Sequence, residues 1–140
     1  MNRITWPALA GLLLSVASIA LAGESHGYAP PKPTTVYTFC IGTQPKHQLT
    51  DESMVPDAVY YSGAFSMMSN ESSEVNKTFT AFLEERYDFK SVPSLAQPIT
   101  CHQHNTLAEA QDALQTNLSR SQKYSHLQTV VDTGWTWKTP

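Results

Sequence analysis

The chain has 140 residues, with 9 Lys and Arg against 12 Asp and Glu and a formal net charge of −3 when the histidines are neutral. A length of this order holds one domain with a modest core. Mild acidity without a Lys/Arg cluster excludes nucleic acid as a partner, because neutralising phosphates dominates such affinity.

The N-terminus opens with Met1-Asn2-Arg3, a positively charged start, and Ala8 to Leu21 then runs uncharged into Ala20-Leu21-Ala22. This is the apolar region and small-x-small cleavage pattern of a bacterial-type signal peptide, so residues 1–22 are expected to be removed on export to the periplasm or the extracellular medium. The apolar run is shorter than the roughly 20 residues that span a bilayer, and no membrane anchor is expected after cleavage. Residues 23–35, with Pro30, Pro31 and Pro33, read as a flexible leader that cannot bury enough apolar surface to order itself. Residues 36–140 then make a single α/β domain.

Within it, Tyr37, Phe39 and Ile41 alternate with Val36, Thr38 and Cys40, and the β-branched and aromatic content predicts a strand. Gly42 to Pro56, polar and holding Pro45, reads as a loop. Ala58 to Phe65 predicts a second strand, with Val59, Tyr61 and Phe65 on one side and Ala58, Tyr60 and Ala64 on the other. After a Ser/Asn-rich start at Ser69 to Ser73, Val75, Phe79, Phe82, Leu83 and Tyr87 recur at three- and four-residue spacing and predict an amphipathic helix. Pro93 and Pro98 end it, and Ile99 to Gln103 is a short third strand. Thr106-Leu107-Ala108-Glu109 is a capping box, and with Leu107, Ala110, Leu114 and Leu118 on one stripe it starts a second helix running to about Ser121. Thr129 to Trp137 closes the domain as a strand with Val131, Thr133, Trp135 and Trp137 on one face.

The order ββαβαβ predicts a two-layer α/β sandwich, a small mixed or antiparallel sheet with both helices on one face. Cys40 and Cys101 both follow the leader, and an even count in an oxidising compartment reads as a disulfide. Bridged residues need Cα atoms within about 7 Å, and a late position on the first strand matched to an early one on the third is what antiparallel neighbours give. If the second and third strands are parallel through a right-handed crossover, the first lies between them in a split β-α-β unit of ferredoxin-like character.

The stretch from Ile99 to Trp137, with its Thr-Leu-Ala-Glu-Ala-Gln helix start and Val130-Val131-Asp132-Thr133-Gly134-Trp135, resembles small exported proteobacterial proteins with two Cys and a closing Thr-Gly-Trp. That resemblance implies export and no particular activity. The same stretch is similar to part of a SPOR domain, where a strand leads into a helix opening with Ser/Thr-x-x-Glu-Ala and a strand returns. This second resemblance implies binding to peptidoglycan glycan strands stripped of their peptides.

Cys101-His102-Gln103-His104 is the most metal-like stretch, since His102 and His104, two apart on a strand, share a face. The spacing selects no third ligand, so neither a metal nor another cofactor is expected. Tyr61-Ser62-Gly63 lacks the leading glycine of a nucleophile elbow, and the adjacent Glu84 and Glu85 diverge on their helix, so no catalytic set is expected. Met67 and Met68 read as gap-filling core, and Trp135 and Trp137 as core beside Val131.

With helices on one side only, the core face should collect Tyr37, Phe39, Ile41, Val59, Tyr61, Phe65, Val131, Trp135 and Trp137. The open face then carries Thr38, Tyr60, Ser62, His102, His104, Asp132 and Thr136, and Tyr60, His102 and His104 are the candidate binding residues. The expected function is a non-enzymatic periplasmic or secreted binding protein, inhibitor- or immunity-like, acting on a protein or cell-envelope glycan. A SPOR-like glycan binder and a metal-dependent hydrolase at His102 and His104 are the alternatives.

Overall fold

A computed structural model describes residues 27, 29–45, 56–91 and 98–139. The expected signal peptide, residues 23–26 and 28 of the expected leader and most of the Gly42 to Pro56 stretch lie outside them. The chain runs β1 (Thr35–Gln44), β2 (Ala58–Tyr61), β3 (Phe65–Met68), α1 (Ser72–Tyr87), β4 (Ile99–His104), α2 (Leu107–Gln122) and β5 (Thr129–Asp132). β1 is central. It pairs antiparallel with β4 on one edge and with β2 and β3 on the other, while β5 pairs parallel with β2. The chain is thus the expected α/β fold with a small mixed sheet, and β2 and β4 are parallel to each other with β1 between them, the expected split β-α-β unit.

The expected second strand is interrupted. Ile41 opposes Tyr61 but Thr38 opposes Phe65, so Phe39 and Cys40 face the three residues Ser62, Gly63 and Ala64. One extra residue opposite two is a β-bulge. Ser62 closes it: its N–H donates to the Cys40 carbonyl at 2.9 Å, and its hydroxyl accepts the Cys40 N–H at 2.7 Å. The Gly63 N–H turns away and donates to the Trp135 carbonyl at 2.7 Å. The bulge also reverses the side-chain phase. Tyr61 therefore packs with α2 and Phe65 with α1, which corrects the expectation that the two share a side.

The helices lie on opposite faces, against the expected two-layer arrangement. Val75, Phe79 and Leu83 of α1 pack with Cys40, Tyr60, Phe65, Met67, Ile99 and Trp137, whereas Leu114 and Leu118 of α2 pack with Phe39, Val59 and Tyr61. Phe39 and Cys40 are consecutive on a strand, so their side chains point to opposite sides. The reason is topological. The crossover from β2 to β4 passes β1 in one direction and the crossover from β4 to β5 returns in the other. All three strands are parallel, so two right-handed crossovers travelling in opposite directions must use opposite faces. β1 is consequently buried on both sides, with Thr38, Phe39 and Cys40 at 0–1% exposure.

β1 also runs on through the expected loop, with Gly42 opposite Tyr60 and Gln44 opposite Ala58. A Cβ at Gly42 would lie 2.5 Å from Leu83 Cδ1 and 3.1 Å from Ile99 Cδ1, so α1 packs against bare backbone there. At the other end β5 is shorter than expected. After Asp132, the Gly134 N–H donates to Asp132 Oδ1 at 3.2 Å and Gly134 adopts φ +63°, a turn that suits glycine. Trp135 then settles on Phe79 at 4.9 Å between ring centroids, and Trp137 is buried, so both serve the core although neither is on a strand.

The capping box of α2 forms as expected, Thr106 Oγ1 accepting the Glu109 N–H at 3.2 Å and Glu109 Oε2 accepting the Thr106 N–H at 3.2 Å. The disulfide Cys40–Cys101 forms as well, between directly opposed residues with Cα atoms 4.0 Å apart. Both backbone groups of Cys40 are engaged by Ser62, so Cys40 and Cys101 are a non-hydrogen-bonded pair of the ladder, the closer of its two kinds.

Candidate functional site

The disulfide register places His102 opposite Phe39 and His104 opposite Tyr37, so both histidines stand on the α2 face. Their rings lie nearly parallel to that of Phe39, at 5.1 Å and 18° for His102 and 5.9 Å and 12° for His104. α2 covers Phe39, Val59 and Tyr61 but not this end of the sheet. Thr100, His102 and Ser66 are exposed, and Tyr37 and His104 are half-buried. Because Tyr37 opposes both His104 and Ser66, these residues make one open strip across β4, β1 and β3.

Tyr60, the third expected member, is elsewhere. It opposes Gly42 and is buried on the α1 face, its ring 5.4 Å from Tyr87 and 5.8 Å from Phe89. Burial raises its phenol above the ordinary value, with the Asp88 carboxylate and Tyr87 adding to the shift. The sheet therefore separates Tyr60 from the histidines. Thr38 and Ser62, expected on an open face, are fully buried, and the Thr38 hydroxyl donates to the His102 carbonyl at 2.7 Å. Thr38 shares the α1 face of β1 with Cys40, and its burial follows from a helix covering each face of the sheet.

Phe39, on which both imidazoles stack, and Tyr37, which opposes His104, are expected from the sequence only as core residues. The signal that reveals their role is the cysteine pair: if Cys40 opposes Cys101 antiparallel, Phe39 must oppose His102 and Tyr37 must oppose His104. Beside His104 a shallow cleft of about 350 Å³ is lined by Val36, Gln103, Asn105 and Glu109. His104 Nε2 is buried without a hydrogen-bond partner among the described residues. No cluster of three or more His, Cys, Asp or Glu able to hold a metal occurs among the described residues.

Packing on Phe39 removes part of the hydration of the His102 ring, and the neighbouring His104 disfavours a second positive charge, so the His102 pKa lies below its ordinary value of 6.5. An NMR titration of the imidazole protons is expected to give a midpoint below 6.5, and His104→Ala should raise it without restoring it fully, since burial is the larger cause. A wild-type midpoint at or above 6.5 would contradict the packing account. For stability the unfolded chain takes up this proton at the higher pH. The contribution of His102 is therefore fully present above about 6.5 and is lost as the pH falls below that value.

Fold and site together define a disulfide-stapled α/β domain with a helix on each face of a mixed sheet and a histidine strip left open at one end. Comparison of the chain with protein-family models, curated proteins and solved structures finds no match. No helix among the described residues is long and apolar enough to cross a membrane.

Proposed function

We propose that the chain is an exported, non-enzymatic binding protein that engages a protein partner through the open strip at His102, His104 and Tyr37. The observation that carries this reading is that His102 is exposed, with Tyr37 and His104 half-buried beside it, on the two strands locked together by Cys40–Cys101. Flat rings held on a rigid ladder lose little conformational freedom when a partner covers them, which favours recognition. The disulfide is the kind of bond an oxidising compartment maintains, in keeping with export.

The test is capture of a partner from the envelope fraction of the source cells, followed by titration of that purified partner with wild type and with a His102→Ala/His104→Ala double variant. Affinity is expected to fall at least about tenfold in the variant, while its thermal midpoint stays near that of wild type. Equal affinity would overturn the site. Retention of the wild type on purified denuded peptidoglycan, with no protein captured, would replace the protein partner with a glycan.

A further inference from the structure

β4 is an edge strand, paired among the described residues only with β1. Because Cys40–Cys101 is a non-hydrogen-bonded pair, ladder alternation turns the N–H and C=O of Cys101, and those of Gln103 two residues on, away from β1. No hydrogen bond from another described residue reaches these four groups, whereas the outward carbonyl of Ile99 accepts the Asn76 amide at 3.4 Å. Natural edges are usually guarded by charge, proline, a bulge or shortness. β4 has none of these. It is six residues long, runs in unbroken register with β1, and reads Ile-Thr-Cys-His-Gln-His, without a charged side chain when the imidazoles are neutral. The opposite edge, β5, has four residues and ends on Asp132.

We propose that β4 pairs antiparallel with β4 of a second copy of the chain, across a two-fold axis at Cys101, joining two sheets into one. Self-pairing brings each side chain against its own strand, so a charged edge would repel itself, and this edge carries no such charge. The register follows from the same residues. Centred on Cys101, the free groups of the two Cys101 residues bond each other, Ile99 meets Gln103 of the second copy, and Thr100 meets His102 of the second copy. A register centred on His102 would set the two His102 rings directly against each other. The inference does not rest on the proposed binding role, since it uses the backbone edge of β4 rather than the ring strip.

Sedimentation equilibrium of the exported chain from about 1 μM to 1 mM, the range in which weak pairing is read, tests it. Gln103→Pro removes an N–H that β1 does not use, so it blocks edge pairing without breaking the β1–β4 ladder. Gln103→Ala keeps that N–H while losing the side-chain bond from Gln103 to Ser72 Oγ, 2.7 Å in the wild type. Wild type and Gln103→Ala are expected to dimerise alike, and Gln103→Pro to dimerise at least about tenfold more weakly. Thr100→Lys, which adds a charge beside the axis, should weaken the dimer too and serves if the proline variant does not fold. Hydrogen exchange at Cys101 and Gln103 should be slow in the dimer and fast on dilution. A wild type that stays monomeric with both amides exchanging fast, or a dimer that the folded edge variants leave intact, would overturn the proposal.

Discussion

Replacing Cys40 and Cys101 together by Ala is expected to lower the unfolding free energy by about 4 kcal/mol, the chain-entropy value for a loop of this length. The bridge spans a sequence separation of 61 and ties the central strand to an edge strand. Without it the unfolded chain regains that loop freedom, and β4 is held by its ladder with β1, by the packing of Ile99 and of its imidazoles on Phe39, and by its bonds with Thr38, Asn76 and Ser72. Urea unfolding of the variant, and of wild type with a reductant, checks the prediction from two sides. The two midpoints should coincide, both well below that of the oxidised wild type. A loss under about 1 kcal/mol would mean that the bridge decorates a fold already secured by its two cores.

Phe39→Ala should cost about 3–5 kcal/mol, the range for deleting a buried aromatic side chain. Phe39 is 1% exposed and joins three parts of the molecule: Leu114 and Leu118 of α2, Val59 and Tyr61 of β2, and the two imidazoles of β4. The cavity would open beneath the strip, so the variant carries a second readout. With its packing partner gone, the His102 pKa should rise towards 6.5, because burial is the larger cause of its depression. Phe39→Leu keeps much of the apolar volume and should recover more than half of the lost stability. A Phe39→Ala protein that unfolds at the wild-type midpoint, or whose His102 titrates as before, would remove Phe39 from the role given to it here.

Some of this is legible in the sequence alone. The second helix announces itself through Thr106 and Glu109, the disulfide through paired cysteines, and the place of β1 between its neighbours through where those cysteines fall on their strands. The placing of the helices was harder, because the first crossover alone does not say where the second goes. Yet Val36 to Ile41 holds large or neutral residues at both parities, the mark of a strand buried on two sides. With one core face and one open face, its alternation groups Tyr60 with His102 and His104; with both faces covered, it does not. The end of β1 is hidden in Gly42 to Pro56, polar and without periodicity, and only the position of Leu83 and Ile99 explains the glycine there. Gly63, inside a strand pattern, did carry the signal of a bulge.

That bulge makes the chain sensitive to counting. Between Tyr61 and Phe65 the number of residues sets which helix each half of the strand serves, much as one tooth sets the timing of a gear. With one residue fewer, Phe65 and Met67 would rotate out beneath the open strip and Ser66 and Met68 would rotate under α1, exchanging two residues at 6% and 2% exposure for a hydroxyl and a half-exposed thioether. The same edit would withdraw the Gly63 N–H from Trp135 and release the C-terminal segment that it anchors. Side chains along this strand can therefore vary within the limits of packing, but its length cannot: an insertion or deletion of a single residue would dismantle the α1 core without altering one of the residues that compose it.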